Sequence, residues 1–150
     1  MTTRNAPSDP ARTLTATHEI RVRFNETDAM GIVWHGNYLV YFEEGREAFG
    51  RQYGISYLDV MAHGYGSPIV KSVVEHKLPL KYGDIARMEV RYTDCDAAKA
   101  VFDYTIYTPD GRVACIGSTT QVFLDSEGQM ALYPPDFIVE WKKRVGLRKG

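Results

Sequence analysis

The chain has 150 residues, 44% hydrophobic and 25% charged, with a formal net charge of -1. That is enough for one domain with its own core, and the balanced charge argues against a surface built for nucleic acid or an anionic membrane. The 2 cysteines, Cys95 and Cys115, lack CxxC spacing and are too few for a disulfide framework.

No apolar run reaches membrane-spanning length. Met1–Thr17 lacks the apolar stretch of a secretory signal, so cytoplasm is the default compartment. Asn5-Ala6-Pro7-Ser8-Asp9-Pro10 is polar and proline-containing. It reads as part of a disordered leader over residues 1–16, ahead of a single domain over 17–145 and a tail over 146–150.

Ile20, Val22 and Phe24 alternate with Glu19, Arg21 and Arg23, which predicts a first strand with one buried face. Asn25-Glu26-Thr27-Asp28 breaks the pattern, and Gly31 permits a turn that other residues resist. A helix is expected from Asn37 to Tyr53. Asn37 is a candidate cap, and Gly54 can end the helix in the left-handed conformation. Tyr38, Leu39, Tyr41, Phe42, Gly45, Ala48, Phe49 and Tyr53 share one half of the helical wheel, opposite Glu43, Glu44, Glu47 and Arg51. Gly45 in mid-helix costs about 1 kcal/mol relative to Ala, which suggests that a strand packs very close there.

A short turn of helix fits Tyr57–Ala62, and a long irregular strand fits Ile69–Lys81. Pro79 belongs at a bulge, an edge or that strand's end. After the Tyr82-Gly83-Asp84 turn, Ala86, Met88, Val90 and Tyr92 alternate cleanly with polar residues. A turn over Asp94–Ala97 leads to a strand through Ala100, Phe102, Tyr104 and Ile106. Thr108-Pro109-Asp110-Gly111 is a hairpin signal, followed by a last strand over Arg112–Leu124. Pro134-Pro135-Asp136 opens a basic helix through Trp141 to Arg144. The order strand, helix, four strands implies an α+β fold, with an antiparallel five-stranded sheet wrapped around one long helix. Its two edges are a liability that dimerisation by edge pairing would relieve.

Asp28 has two readings. One is an Asx-turn carboxylate, the ordinary role of a loop aspartate. The other is chemical. His35, Gly36 and Asn37 begin a helix whose first N–H groups lack intrahelical partners, and such groups suit a developing oxyanion. An acid or base beside an oxyanion site is the minimum equipment for acyl transfer. His18, His35, His63 and His76 show no metal-binding spacing, and there is no G-x-S-x-G elbow, P-loop or G-x-G-x-x-G. No metal or cofactor is expected.

The run Arg21-Val22-Arg23-Phe24-Asn25-Glu26-Thr27-Asp28-Ala29-Met30-Gly31-Ile32-Val33-Trp34-His35-Gly36-Asn37-Tyr38 resembles the signature of the 4-hydroxybenzoyl-CoA thioesterase family of hotdog-fold proteins. It also resembles the short-chain acyl-CoA thioesterases associated with the Tol–Pal system. The likeness continues through Tyr41-Phe42-Glu43 and, more loosely, to about residue 125. It implies a hotdog domain that hydrolyses an acyl-CoA thioester. Asp28 would be nucleophile or general base, and the His35 backbone N–H would polarise the carbonyl. It further implies a substrate site at Gly31, Val33, Trp34, Gly36, Asn37, Tyr38, Val70 and Lys99, lying between two subunits of a homodimer or a homotetramer built as a dimer of dimers.

One departure bears on the carrier. Family members place clustered basic residues between the third and fourth strands to grip the CoA phosphates; here that region reads Asp94-Cys95-Asp96-Ala97-Ala98-Lys99. The nucleotide would then be held elsewhere, by Lys77, Lys81, Lys142, Lys143 or Arg144, or the carrier would be an acyl-carrier protein. A hotdog dehydratase fits the Asp28-to-His35 order poorly. A non-catalytic hotdog module that binds an acyl group or a partner protein is the reading from another class.

Overall fold

A computed structural model describes residues 12–148. The expected leader up to residue 11 and the last two residues of the expected tail lie outside the described residues. The elements are β1 (Thr13–Arg21), a 3-10 turn (Phe24–Glu26), α1 (Asn37–Tyr53), α2 (Tyr57–Ala62), β2 (Ile69–His76), β3 (Ile85–Thr93), β4 (Lys99–Tyr107), β5 (Val113–Val122) and α3 (Asp136–Arg144). Five antiparallel strands make one sheet in the order β1-β3-β4-β5-β2. Tight turns make β3, β4 and β5 neighbours. The longer connections send β1 and β2 to opposite edges. The sheet wraps α1, which is the hotdog arrangement.

Period two places the core. Met88, Val90 and Tyr92 of β3 stand opposite Ile106, Tyr104 and Phe102 of β4, and all six side chains are buried. Tyr38, Tyr41, Phe42, Gly45, Phe49 and Gly50 of α1 face them. A Cβ built on Gly45 would come within 2.5 Å of Met88 Cε and 2.7 Å of Val90 Cγ2, so the helix backbone lies directly on β3 as expected. Gly117 of β5 makes room in the same way for the ring of Phe42. Gly54 ends α1 at φ 70°, the left-handed cap. No helix among the described residues is long and apolar enough to cross a membrane.

Several expected boundaries move. Strand β1 begins at Thr13, so Thr13–Ala16 belong to the sheet and not to a leader. Threonines on the outward face and the small Ala16 on the inward one hide the alternation there. The strand ends at Arg21, and Phe24, which continues the sequence pattern, is 75% exposed in the 3-10 turn, edge-on to Tyr82. Strand β2 stops at His76 with Pro79 beyond it, and a bulge between Ile69 and Lys71 skips Val70. The last strand is also shorter than expected, ending at Val122. Leu39 of α1 is 43% exposed, on the helix's outward side.

The described part of the expected tail, residues 146–148, packs onto the domain. Leu147 is buried, and Arg148 Nε lies 2.7 Å from the fully buried carboxylate of Asp94. Lys142 Nζ lies 2.8 Å from the other Asp94 oxygen, and an Arg12 nitrogen 3.3 Å from the first. Burial pushes the Asp94 carboxyl up, but its bonds to Lys142 and Arg148 outweigh that and hold it below the ordinary aspartate value.

A carboxyl with a depressed folded pKa adds stability above its unfolded value of about 3.9 and loses it as pH falls through the folded value. Asp94→Asn leaves the buried Lys142 cation unmatched and should cost about 3 kcal/mol at pH 7 in urea unfolding. The gap to wild type should narrow at a pH below the unfolded value, where the advantage of the paired carboxyl is progressively lost. An equal gap at both pH values would show that the ion cluster is not its source.

Candidate active site

The loop between β1 and α1 is a small hairpin locked to the helix start. Thr27 pairs with Val33, and the Asp28 N–H donates to Ile32 O at 2.8 Å. Gly31 N–H donates to Asp28 O at 2.9 Å, and Gly31 itself sits at φ 76°. This is a tight turn followed by a left-handed residue, a geometry glycine adopts without strain. The hairpin is anchored on both flanks. Val33 N–H donates to Leu80 O at 2.9 Å, and its side chain is buried.

Glu26, which the sequence does not mark as a site residue, holds the hairpin to α1. Its backbone oxygen accepts from Trp34 N–H at 2.9 Å and from Asn37 Nδ2 at 2.8 Å. Its carboxylate accepts from Arg23 N–H at 2.7 Å and from the Tyr41 hydroxyl at 3.1 Å. Asn37 is therefore not the cap. Gly36 occupies that position with helix-like φ and ψ and no capping side chain, and Asn37 is the first helical residue. Its amide is used up on the loop.

Asp28 makes the Asx-turn: one carboxylate oxygen accepts from Met30 N–H at 2.8 Å. That bond fixes the carboxylate plane. Among the described residues the other oxygen, Oδ2, has no partner. The same holds for the backbone N–H groups of His35 and Gly36, which stand ahead of the first helical turn. The two sequence readings of Asp28 are thus compatible. One oxygen holds the turn and the other remains open. A half-exposed Trp34 lays its ring across Gly36, where a Cβ would collide with the ring carbons.

His35 is exposed, and its ring stands 5.0 Å from that of Trp34 and 6.5 Å from that of His76. His76, at the end of β2, meets the buried Tyr38 ring edge-on at 5.0 Å. Burial pushes the Tyr38 hydroxyl up to about 12, with Cys115 adding to the rise, so it is a neutral donor at pH 7. Sequence reasoning missed His76 beside this loop because 41 positions separate it from His35. Only the strand order brings it near.

The structure gathers Asp28, Gly31, Val33, Trp34, His35, Gly36, Asn37 and Tyr38 in one place. It does not bring Val70 or Lys99 there within the chain. Val70 lies at the far end of β2 from His76, roughly 20 Å along the strand. Lys99 is paired with Val122 at the opposite end of the sheet from the hairpin. Lys142 is not a free cation, because it is buried on Asp94 and Cys95 O. Arg144 is committed to Gly54 O, at the end of α1. Lys77 and Lys81 are exposed on the segment that pairs with the loop, Lys81 opposite Ile32. Among the described residues no group of three His, Cys, Asp or Glu is placed to hold a metal ion.

Residues 22–141 match the model of the thioesterase-like superfamily. The chain is 39% identical over 109 residues to a Bacillus subtilis protein named "Putative acyl-CoA thioesterase YneP", covering 73% of this chain and 79% of that one. It is 23% identical over 125 residues to the acyl-CoA thioester hydrolase YbgC of Escherichia coli O6:H1, covering 83% and 93%. Among solved structures, the DHNA-CoA thioesterase of Staphylococcus aureus superposes with a TM-score of 0.78 at 28% identity, covering 87% of this chain and 90% of that one.

Asn37→Ala removes the side-chain tie between α1 and the hairpin. It should lower stability by about 1 kcal/mol and speed amide exchange over residues 27–35 more than in the sheet. Uniform exchange across the chain would mean that the tie does not hold the loop.

Proposed function

The chain belongs to the thioesterase-like superfamily, and from that premise we propose that it is an acyl-CoA thioesterase, releasing a free acid and a thiol. One observation carries the reading. A single hairpin locks an open carboxylate oxygen of Asp28 beside a helix start at which the N–H groups of His35 and Gly36 have no acceptor. The acyl carbonyl oxygen accepts from these N–H groups, which stabilise the negative charge that forms there. Asp28 Oδ2 either attacks the carbonyl carbon, the C–S bond breaking as the thiolate leaves and a mixed anhydride forms that water then opens, or takes a proton from the attacking water, the C–S bond breaking as the resulting tetrahedral species collapses. With a thiol pKa of about 8.5 the thiolate leaves without a strong acid beside it, which fits a site where His35 is exposed and the Tyr38 hydroxyl is neutral.

The nucleotide end of the substrate is assigned to Lys77 and Lys81, exposed cations on the segment that pairs with the hairpin. The Asp94–Lys99 turn has another task, since Asp94 and Asp96 are tied to Arg148. Strand β2 is an edge whose residues are exposed on both faces, including Ile69, Val70 and Val73. Antiparallel pairing of two copies through β2 would lay the Val70 end of one beside the His76 end of the other. That gives Val70 a place at the site of a homodimer.

Thiol release from a panel of acyl-CoA and acyl-carrier-protein thioesters tests the chemistry. Asp28→Asn should lose at least 100-fold in kcat, about the contribution of a positioned acid or base, with an unchanged fold and oligomer. His35→Ala should lose less, because its contribution comes from the backbone. Equal rates for Asp28→Asn and wild type would end this mechanism.

The paired change Lys77→Ala/Lys81→Ala should raise KM for acyl-CoA several-fold at low salt while leaving kcat near wild type. Added salt should erase the difference. A KM that does not move would place the phosphates elsewhere.

A further inference from the structure

Away from the hairpin, the structure holds a cavity of about 790 Å³ between the C-terminal half of α1, the β4–β5 side of the sheet, α2 and α3. None of its lining residues comes from the Asp28–Tyr38 loop. Helix α1 lies chiefly over β1 and β3, and the partly open space beyond it is bordered by Val60 of α2 and Trp141 of α3. Phe49, Tyr92, Phe102 and Trp141 give it apolar, largely aromatic walls. The volume is that of a small-molecule site.

One charged group reaches over this apolar floor. Arg46 lines the cavity and donates from one guanidinium nitrogen to the buried Tyr104 hydroxyl at 3.0 Å. That hydroxyl is itself fixed by Thr119 at 2.5 Å. Among the described residues no carboxylate forms an ion pair with Arg46. The other charges at the rim are accounted for: Glu47 is paired with Arg51 at 2.9 Å, and Glu43 is exposed to water. A guanidinium has five donors in a fixed fork. Anchored by one of them, it presents the rest to whatever enters.

We propose that this cavity binds an apolar chain or ring that ends in a carboxylate, with Arg46 taking the carboxylate and the aromatic walls taking the body. Two sources share that chemistry. One is a free carboxylic acid, the product class of thioester hydrolysis. The other is the far end of an acyl group that carries a second carboxylate. The second source rests on the thioesterase reading and on copies paired through β2; binding of a free acid rests on neither.

Calorimetric titration of the full chain with decanoate and with 1-decanol tests this directly. Decanoate should bind about tenfold more tightly than the alcohol, the increment of a charge-assisted hydrogen bond. Arg46→Gln should remove that difference while leaving decanol affinity unchanged. Ala100→Phe, which fills the cavity, should weaken both ligands, and this arm does not depend on the Arg46 variant folding. No decanoate binding by folded wild type, equal decanoate affinity in Arg46→Gln, or binding untouched by Ala100→Phe would each overturn the proposal. Thiol release separates the sources. Loss of kcat/KM in Arg46→Gln for an ω-carboxyacyl-CoA but not for decanoyl-CoA assigns the site to the acyl end. Unchanged rates for both, with decanoate binding lost, assign it to the free acid. Neither result depends on how Asp28→Asn behaves.

Discussion

Helix α1 can lie flat on the sheet because two positions carry no side chain. Gly45 lets the helix backbone rest on Met88 and Val90, and Gly117 lets the Phe42 ring sink onto β5 beside the backbone of β2. Interiors pack at the density of organic crystals, so a methyl group at either place would lift the helix or force its neighbours aside. The setting of the helix fixes what lies at each of its ends. Its N-terminus comes to the mouth of the loop, where Asn37 and Tyr41 hold Glu26. Beyond its far half lies the space bordered by α2 and α3.

The loop shows how one residue can serve a structural and a chemical role together. An aspartate in a turn normally uses its carboxylate to satisfy a nearby backbone N–H, and Asp28 does so with Met30. A carboxylate has two oxygens, and restraining one orients the other. Any reactive role for Asp28 therefore comes with a pre-set direction, supplied by the same bond that shapes the turn. Glycine at position 31 is needed for the turn, and through it for that direction.

Much of this was legible in the sequence, and the reasons for what was not are specific. Strands β3 and β4 alternate cleanly, and the turns that flank the pair carry glycine where the backbone turns left-handed, at Gly83 and Gly111. The bounds of α1 and α2 could be read to the residue, because Gly54 ends the first and the second is a short periodic run. The mid-helix glycine signalled close packing before any partner was known. What failed depended on contacts distant in sequence. Thr13–Ala16 looked like leader because threonine and alanine give a faint pattern, and only the ladder with β3 makes them a strand. Lys142 looked like a free surface cation because its partner Asp94 lies 48 positions away. The family resemblance groups Val70 and Lys99 with Asp28, yet within one chain the topology sends them to the other end of the sheet. Glu26 and His76 carried no local signal at all.

The Asp94 cluster also bears on how the two ends of the domain relate. Arg12, the first described residue, and Arg148, the last, both reach the same carboxylate, at 3.3 Å and 2.7 Å. The two ends of the described chain thus meet at one corner, beside the β3–β4 turn and at the opposite end of the sheet from the hairpin that carries Asp28. A chain arranged in this way lends itself to circular permutation. A short linker could join residues 12 and 148 across the outside of that corner. New ends could be opened in the exposed Pro109–Arg112 turn between β4 and β5, with no backbone rerouted past the loop.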